Sequence, residues 1–276
     1  MTVNVESKLE EFLKEDIGAG DISSSLLPEK YVRAKIISKQ DAVIAGVKFA
    51  ETIFNIHKCD VQILKNDGEK IKAGGCLLII NGIAPTILSC ERTILNLLSR
   101  MSGIATYTNK LVQVTKRINP KISVCATRKT APGLRYFDKI AVELGGGIRH
   151  RMDLNEFVIL KDNHIAVYGS IENLIKQAKS KYKIIETEVD SLSDALLAAK
   201  AGSDVIMLDN FSTEVINSTI HELTKLGIRK KIKIEISGGI NIKNISKYAK
   251  TTADWISIGA ITNSVSGIDF SLDVIS

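Results

Sequence analysis

Four short segments, KIIETEV, DVIMLD, KIKIEIS and DWISIG, are almost continuously apolar and rich in Ile and Val, and helical patterns separate them. Strands that alternate with helices roughly every 25 residues predict βαβ units on a parallel sheet. Strands without polar alternation fit a sheet covered on both faces. The intervening patterns are SLSDALLAAKAG, STEVINSTIHELTKLG and NIKNISKYAKT, and the first two close on Gly202 and Gly227, where a helix C-terminus favours glycine. Closure into a (β/α) barrel is expected. No GxGxxG opens a helix after the first strand, so a dinucleotide-binding sheet lacks its main motif.

The chain ahead of residue 120 has a different texture. Residues 5–15 form an amphipathic pattern with Val5, Leu9, Phe12 and Leu13 on one stripe. After the glycine turn in IGAGDIS come expected strands in VRAKIISKQDAVIAG, a helix KFAETIFNIH, and a strand-turn-strand in VQILKNDGEKIKAGGCLLIING. A long helix is expected from Ser89, with Ile94, Leu97, Leu98, Met101, Ile104 and Leu111 in phase. Arg92 sits in its first turn, where a cation gains nothing from the helix dipole, so it is a candidate to serve another partner.

Bulk numbers exclude several classes. With 45% hydrophobic and 25% charged residues the 276-residue chain is ordinary for a globular protein. A formal charge of +6 is modest, and 5% aromatic residues supply no basic strand studded with stacking rings, so nucleic acid is not an expected partner. Cys59, Cys76, Cys90 and Cys125 stand singly, in neither a zinc nor a disulfide pattern, and reduced thiols are expected. The start MTVNVESKLEEFLKED is charged where a signal peptide is apolar, and no apolar run nears the roughly 18 residues of a membrane span. A cytoplasmic protein with no membrane association is expected.

In a barrel the chemistry sits at the C-terminal ends of the strands. Here ISVCATRKT ends with Arg128 and Lys129, FVILKDNH with Lys161, Asp162, Asn163 and His164, KIIETEVD with Glu188, and DVIMLDN with Asp209 and Asn210. Alternation puts Glu186 and Glu188 on one face, with Glu188 nearer the mouth. Between the first two strands lie Arg135, Arg149, His150 and Arg151. Cations at strand ends beside glycine turns suit an anionic small molecule. Ser237, Gly238 and Gly239 of SGGI, with Gly259 and Ala260 of IGAI, offer backbone N–H groups where many barrels hold phosphate. Glu188 and Asp209 suit ribose hydroxyls or a phosphate-bridged Mg²⁺. The residues alone therefore predict an enzyme acting on a phosphorylated sugar and a second polyanion.

TRKTAPGLR, GGG followed by HR, LKDNH, ETEV, LDN, SGGI and IGAIT resemble the quinolinate phosphoribosyltransferase family. DIGAGDIS and SCERTILNLLSRMSGIAT resemble that family's N-terminal domain, so the resemblance runs nearly the length of the chain in order. It implies an N-terminal α/β sandwich over residues 1–112, an incomplete α/β barrel over 113–264, and a tail, 265–276, packed back on the first domain. It implies assembly as a homodimer or hexamer. The implied reaction joins quinolinate to 5-phosphoribosyl 1-pyrophosphate with Mg²⁺, giving nicotinate mononucleotide, CO₂ and pyrophosphate for NAD synthesis. Arg128, Thr130, His150 and Arg151 would bind the acid, with Lys129 and Lys161 between it and the pyrophosphate. Glu188 and Asp209 would hold ribose or metal, and Ser237, Gly238, Gly239, Gly259 and Ala260 the 5′-phosphate. Arg92 would reach a neighbouring subunit's site.

Ile148-Arg149 departs from the polar pair common in that family, and Arg149 is expected in solvent. His164 is expected to brace its strand end, and Lys139 with Glu143 to form an exposed i, i+4 pair. Two alternatives remain open: a paralogue acting on another acid, such as the molybdenum-associated type, and a non-catalytic barrel that binds phosphometabolites.

Overall fold

The computed structural model describes residues 4–275. The chain forms two compact units. One runs through Asn109, takes in Tyr136–Gly146 and resumes at Val265; the other comprises Lys110–Arg135 and Gly147–Ser264. Residues 136–146 fall inside the expected barrel range but cluster with the first unit.

In the first unit, α1 (Val5–Ile17) starts at Asn4, whose side chain accepts the Ser7 N–H at 3.2 Å, and it buries Leu9 and Leu13. Next come β1 (Tyr31–Ser38), β2 (Ala42–Val43), α2 (Val47–Ile56), β3 (Asp60–Ile63), β4 (Lys70–Ile71), β5 (Cys76–Ile83) and the 35-residue α3 (Ala84–Ile118). The antiparallel sheet runs in the order Phe270–Ile275, β1, β5, β3, and α2 lies against β3 and β5. Ala34, Ile36, Leu78 and Ile80 bury one side-chain set of the central strands. The Asn66-Asp67-Gly68 turn does more than reverse the chain. The Asp67 carboxylate accepts the N–H groups of Gly46 (2.7 Å), Val47 (2.9 Å) and Lys48 (3.2 Å), capping α2.

The C-terminal segment is held closely within this unit. Gly103 of α3 packs on the backbone of Ser266, where any Cβ would overlap the carbonyl, and the Ile268 N–H donates to Ser99 O at 3.0 Å. Helix α4 (Arg135–Leu144) buries Phe137, whose ring meets those of Phe12 and Phe49 at 5.4 and 4.9 Å. Asp138, fully buried, accepts a bidentate pair from Arg100 at 2.7 and 2.8 Å. Lys139 is not the exposed partner that i, i+4 spacing suggested. It is 1% exposed beside Asp138, whereas Glu143 lies outside.

The second unit carries β6 (Ser123–Cys125), β7 (Val158–Leu160), β8 (Ile185–Val189), β9 (Val205–Asp209), β10 (Lys233–Ser237) and β11 (Trp255–Ser257). They make a parallel sheet in the order β6-β11-β10-β9-β8-β7. Ile148 adds a single parallel bridge outside β6, and β6 and β7 remain edges, so the barrel is incomplete. Helices α5 (Asp162–Tyr168), α6 (Ile171–Lys179), α7 (Leu192–Ala201), α8 (Thr213–Lys225), α9 (Ile245–Tyr248) and α10 (Ala260–Asn263) connect the strands. Ser170, Ser191 and Ser212 cap α6, α7 and α8 through their hydroxyls.

Two sequence expectations shift. LKDNH does not prolong a strand; Lys161 stands just ahead of α5. NIKNISKYAKT yields only the four-residue α9, because the Asn244 side chain accepts the Asn241 N–H (2.8 Å) and Asn241 accepts that of Lys243 (2.9 Å), holding a turn in place of a helical start.

Candidate active site

Strand register brings the expected residues to one edge of the sheet. Glu188 pairs with Met207 and Asp209 with Ser237 across the β8-β9-β10 ladder. A cavity of about 320 Å³ opens there, and Arg128, Lys129, His150, Arg151, Lys161, Glu188, Asp209 and Ser237 all line it, with Met207, Glu235 and Ser257. A second cavity of about 380 Å³ is lined by Asp162, Glu188, Asp190, Asp194 and Asp209 and by the apolar Ile165, Ala166 and Ile171. Glu188 and Asp209 thus border both, with cations on one side and carboxylates on the other.

Charge in the first cavity is unbalanced. Five cationic side chains line it against three carboxylates. The Arg128 Nε is buried without a partner, and Arg151 is 6% exposed with one guanidinium N–H donating to Phe157 O at 3.1 Å. Burial, and then the neighbouring Arg128 charge, pull the Arg151 pKa down from its ordinary value. Two guanidinium groups that repel each other, that of Arg151 buried and that of Arg128 half-buried, make a receptor for an anion. The Lys161 ammonium donates to the Glu188 carboxylate. Asp209 accepts from the Asn210 side-chain amide at 2.7 Å.

His150 lies at φ 55°, a left-handed conformation uncommon outside glycine, with its ring edge-on to Phe157 and Trp255 at 5.3 and 5.9 Å. Its Nε2 hydrogen-bonds Glu235 at 3.1 Å and lies 3.4 Å from Glu186. Burial opposes the imidazolium, but the hydrogen bonds and charges of Glu186 and Glu235 outweigh it and lift His150 to about 9. Burial, then Glu235, push the Glu186 carboxyl up. The sequence pattern puts Glu186 on the face of Glu188 without giving it a role, and it does not single out Glu235. The signal was present: KIIETEV and KIEIS each place a carboxylate inside an apolar strand, and such a charge is costly unless it meets a partner.

The other expected residues occupy different positions. Thr130 Oγ1 accepts from Arg135 Nε at 3.2 Å and does not line the cavity. Gly238 and Gly239 follow Ser237 at φ 99° and 59°, and a Cβ on Gly238 would strike the Asn210 side chain and backbone. The Gly259 backbone packs on the Lys129 side chain, and Thr262, beyond Ala260, donates to Lys129 O at 2.8 Å. Arg92 is on the exposed face of α3 in the first unit, and Arg149 is exposed as expected. His164 Nδ1 accepts the Lys161 N–H at 3.1 Å, bracing the strand end. Glu188 and Asp209 supply the oxygen donors that suit Mg²⁺ and face both cavities. His150, Glu186 and Glu235 also converge within 4.8 Å, but their burial and the His150–Glu235 hydrogen bond make them an internal ion-pair cluster.

An open (β/α) barrel with guanidinium, ammonium and carboxylate groups gathered at its strand ends defines an enzyme class that handles anionic small molecules at the barrel mouth. Comparison narrows the class. Residues 21–102 match the family model for the quinolinate phosphoribosyl transferase N-terminal domain, and residues 104–273 that for its C-terminal domain. A probable nicotinate-nucleotide pyrophosphorylase [carboxylating] of Archaeoglobus fulgidus is 46% identical over 93% of this chain and 98% of its own. The human nicotinate-nucleotide pyrophosphorylase [carboxylating] is 31% identical over 98% and 91%. The crystal structure of the Ehrlichia chaffeensis nicotinate-nucleotide pyrophosphorylase superimposes with a TM-score of 0.93, at 35% identity and full coverage of both chains. The chain belongs to the quinolinate phosphoribosyl transferase family. Among the described residues no helix is long and apolar enough to cross a membrane.

Proposed function

We propose that this chain transfers the phosphoribosyl group of 5-phosphoribosyl 1-pyrophosphate to quinolinate with loss of CO₂, giving nicotinate mononucleotide and pyrophosphate. The word "carboxylating" in the relatives' names describes the same reaction read backwards. The observation that carries this reading is the surplus of cationic side chains around one cavity, Arg128 and Arg151 among them. In our reading Arg128, His150 and Arg151 grip the two carboxylates, and Thr130 holds the Arg128–Lys129 turn through its own hydrogen bond with Arg135. Lys129 and Lys161 face the region between acid and pyrophosphate.

The chemistry follows from charge. As pyrophosphate leaves C1 of the ribose, positive charge builds at that carbon and negative charge on the leaving group, and Lys129 and Lys161 are fixed ammonium groups that stabilise the latter. Glu188 and Asp209 orient the ribose and are the residues that would hold Mg²⁺. When bound there, Mg²⁺ would neutralise the departing pyrophosphate. The quinolinate nitrogen then bonds to C1, and the positive ring nitrogen stabilises the electron pair left on C2 as the adjacent carboxylate leaves as CO₂; a proton from solvent then completes the C2–H bond of the product. The Ser237–Gly239 turn and Gly259-Ala260 offer backbone N–H groups for the 5′-phosphate. We further read the enzyme as cytoplasmic, consistent with cysteines that form no disulfide among the described residues, and as a homo-oligomer in which Arg92 serves a neighbouring subunit.

The test mixes purified protein, Mg²⁺ and 5-phosphoribosyl 1-pyrophosphate with quinolinate or nicotinate and follows mononucleotide and CO₂. Turnover of quinolinate with little of nicotinate is expected. Turnover of nicotinate would overturn the dicarboxylate assignment. No turnover of either would favour the paralogue or the non-catalytic binder.

A further inference from the structure

Two of the charged groups in the barrel have no place in the reaction as just derived. Glu186 and Glu235 are fully buried on β8 and β10, the two strands that flank β9, and their carboxylates converge with His150 Nε2 within 4.8 Å. Glu186 Oε1 and Glu235 Oε1 lack a hydrogen-bond partner, and Glu186 Oε2 has only His150 Nε2, 3.4 Å away. Carboxylates removed from water cost several kcal/mol each unless matched by positive charge. A stability role alone would be better served by apolar residues of similar volume at these positions. Their shared neighbour is the one imidazole that lines the substrate cavity.

We propose that Glu235, assisted by Glu186, is a positioning residue for acid binding: it clamps Nε2 of His150 and keeps the ring an imidazolium presented to the cavity beside Arg128 and Arg151. A neutral imidazole here would leave the two carboxylates facing the substrate's own carboxylates across the ring. The clamp converts that repulsion into attraction and fixes the strained His150 backbone at one orientation between Phe157 and Trp255. The other charges around His150 are Arg151 beside it in sequence, Arg128 and Lys129 at the end of β6, Lys161 after β7, Glu188 on β8 and Asp209 on β9. The cations among them disfavour a further positive charge. The imidazolium therefore depends on Glu186 and Glu235. This role rests on the proposed dicarboxylate substrate, although the clamp itself is defined by geometry.

With only four histidines in the chain, ¹⁵N-histidine NMR resolves the His150 ring, assigned through His150→Gln. In the intact protein His150 should remain doubly protonated at pH 8 and titrate at about 9. In Glu235→Gln the midpoint should fall by about one pH unit or more. The KM for quinolinate at pH 8 should rise about tenfold while that for 5-phosphoribosyl 1-pyrophosphate stays within about twofold. Glu235→Asp should recover part of the loss. A wild-type midpoint at or below the ordinary histidine value would overturn the proposal, whatever the activity. So would a Glu235→Gln variant that is folded but raises both KM values alike, the mark of a merely structural residue. If quinolinate is not turned over but His150 titrates as expected and shifts in Glu235→Gln, the clamp stands and the assigned substrate falls.

Discussion

Gly238 turns the chain out of β10 at φ 99° directly beneath Asn210, so Gly238→Ala meets both a strained backbone and an overlap with the Asn210 side chain. It should lower the thermal midpoint and raise the KM for 5-phosphoribosyl 1-pyrophosphate more than that for the acid, as steady-state kinetics with each substrate varied would show. Glu188→Ala removes the carboxylate that borders both cavities and contacts Lys161. Turnover should fall roughly a hundredfold or more without loss of fold by circular dichroism, and a small fall would remove Glu188 from the reaction. Residues at the strand ends were legible in the sequence because a polar residue after an apolar run marks a barrel mouth. Glu186 and Glu235 were not, since within a strand only three-dimensional register says which carboxylate meets which imidazole. Lys139 was misread for a related reason. Helical spacing gives its neighbours along the helix, whereas its burial depends on packing from distant segments.

Among elements, the strands of the barrel could be read directly, since burial on both faces leaves no alternative to an apolar run. Short helices could not: in α9 the Asn side chains compete for the same N–H groups that a helix would need. Asp67 illustrates a second limit. Its turn was evident, but its role as cap of α2 depends on a contact some 20 residues back along the chain. Asp67→Ala should cost about 1–2 kcal/mol in urea unfolding, and Asp67→Asn should recover part of it. Asp21 anchors the DIGAGDIS turn to α3: it accepts from Ser23 and Ser24 backbone N–H groups and from the Ser89 hydroxyl at 2.9 Å. Hydrogen bonds from Ser24, then Ser89, hold its carboxyl down at about 2. A folded-state pKa below the unfolded one means that this stabilisation is present above about pH 4 and lost as pH falls toward 2. Asp21→Asn should accordingly flatten the acid limb of the stability profile.

At the scale of the molecule, the sequence resemblance placed a domain boundary at residue 112, and the structural units divide at 109–110, within α3. If Arg92 serves a neighbouring subunit, then Arg92→Ala and Glu188→Ala proteins, each inactive alone, should regain turnover when mixed under conditions of subunit exchange. Continued inactivity would confine Arg92 to its own chain.

The strand Phe270–Ile275 pairs with β1 from Arg33↔Ile275 to Ser38↔Phe270, so the first unit draws one of its edges from a segment far downstream in the sequence. During synthesis, β1 leaves the ribosome long before its partner exists. Until residues 270–275 emerge, the nascent sheet carries an unpaired edge that invites intermolecular pairing. Barrel residues are made during that wait. A chain arrested or cut after Ser264 should therefore be recovered mainly as aggregate, and its solubility should return when a peptide spanning residues 265–275 is supplied in trans.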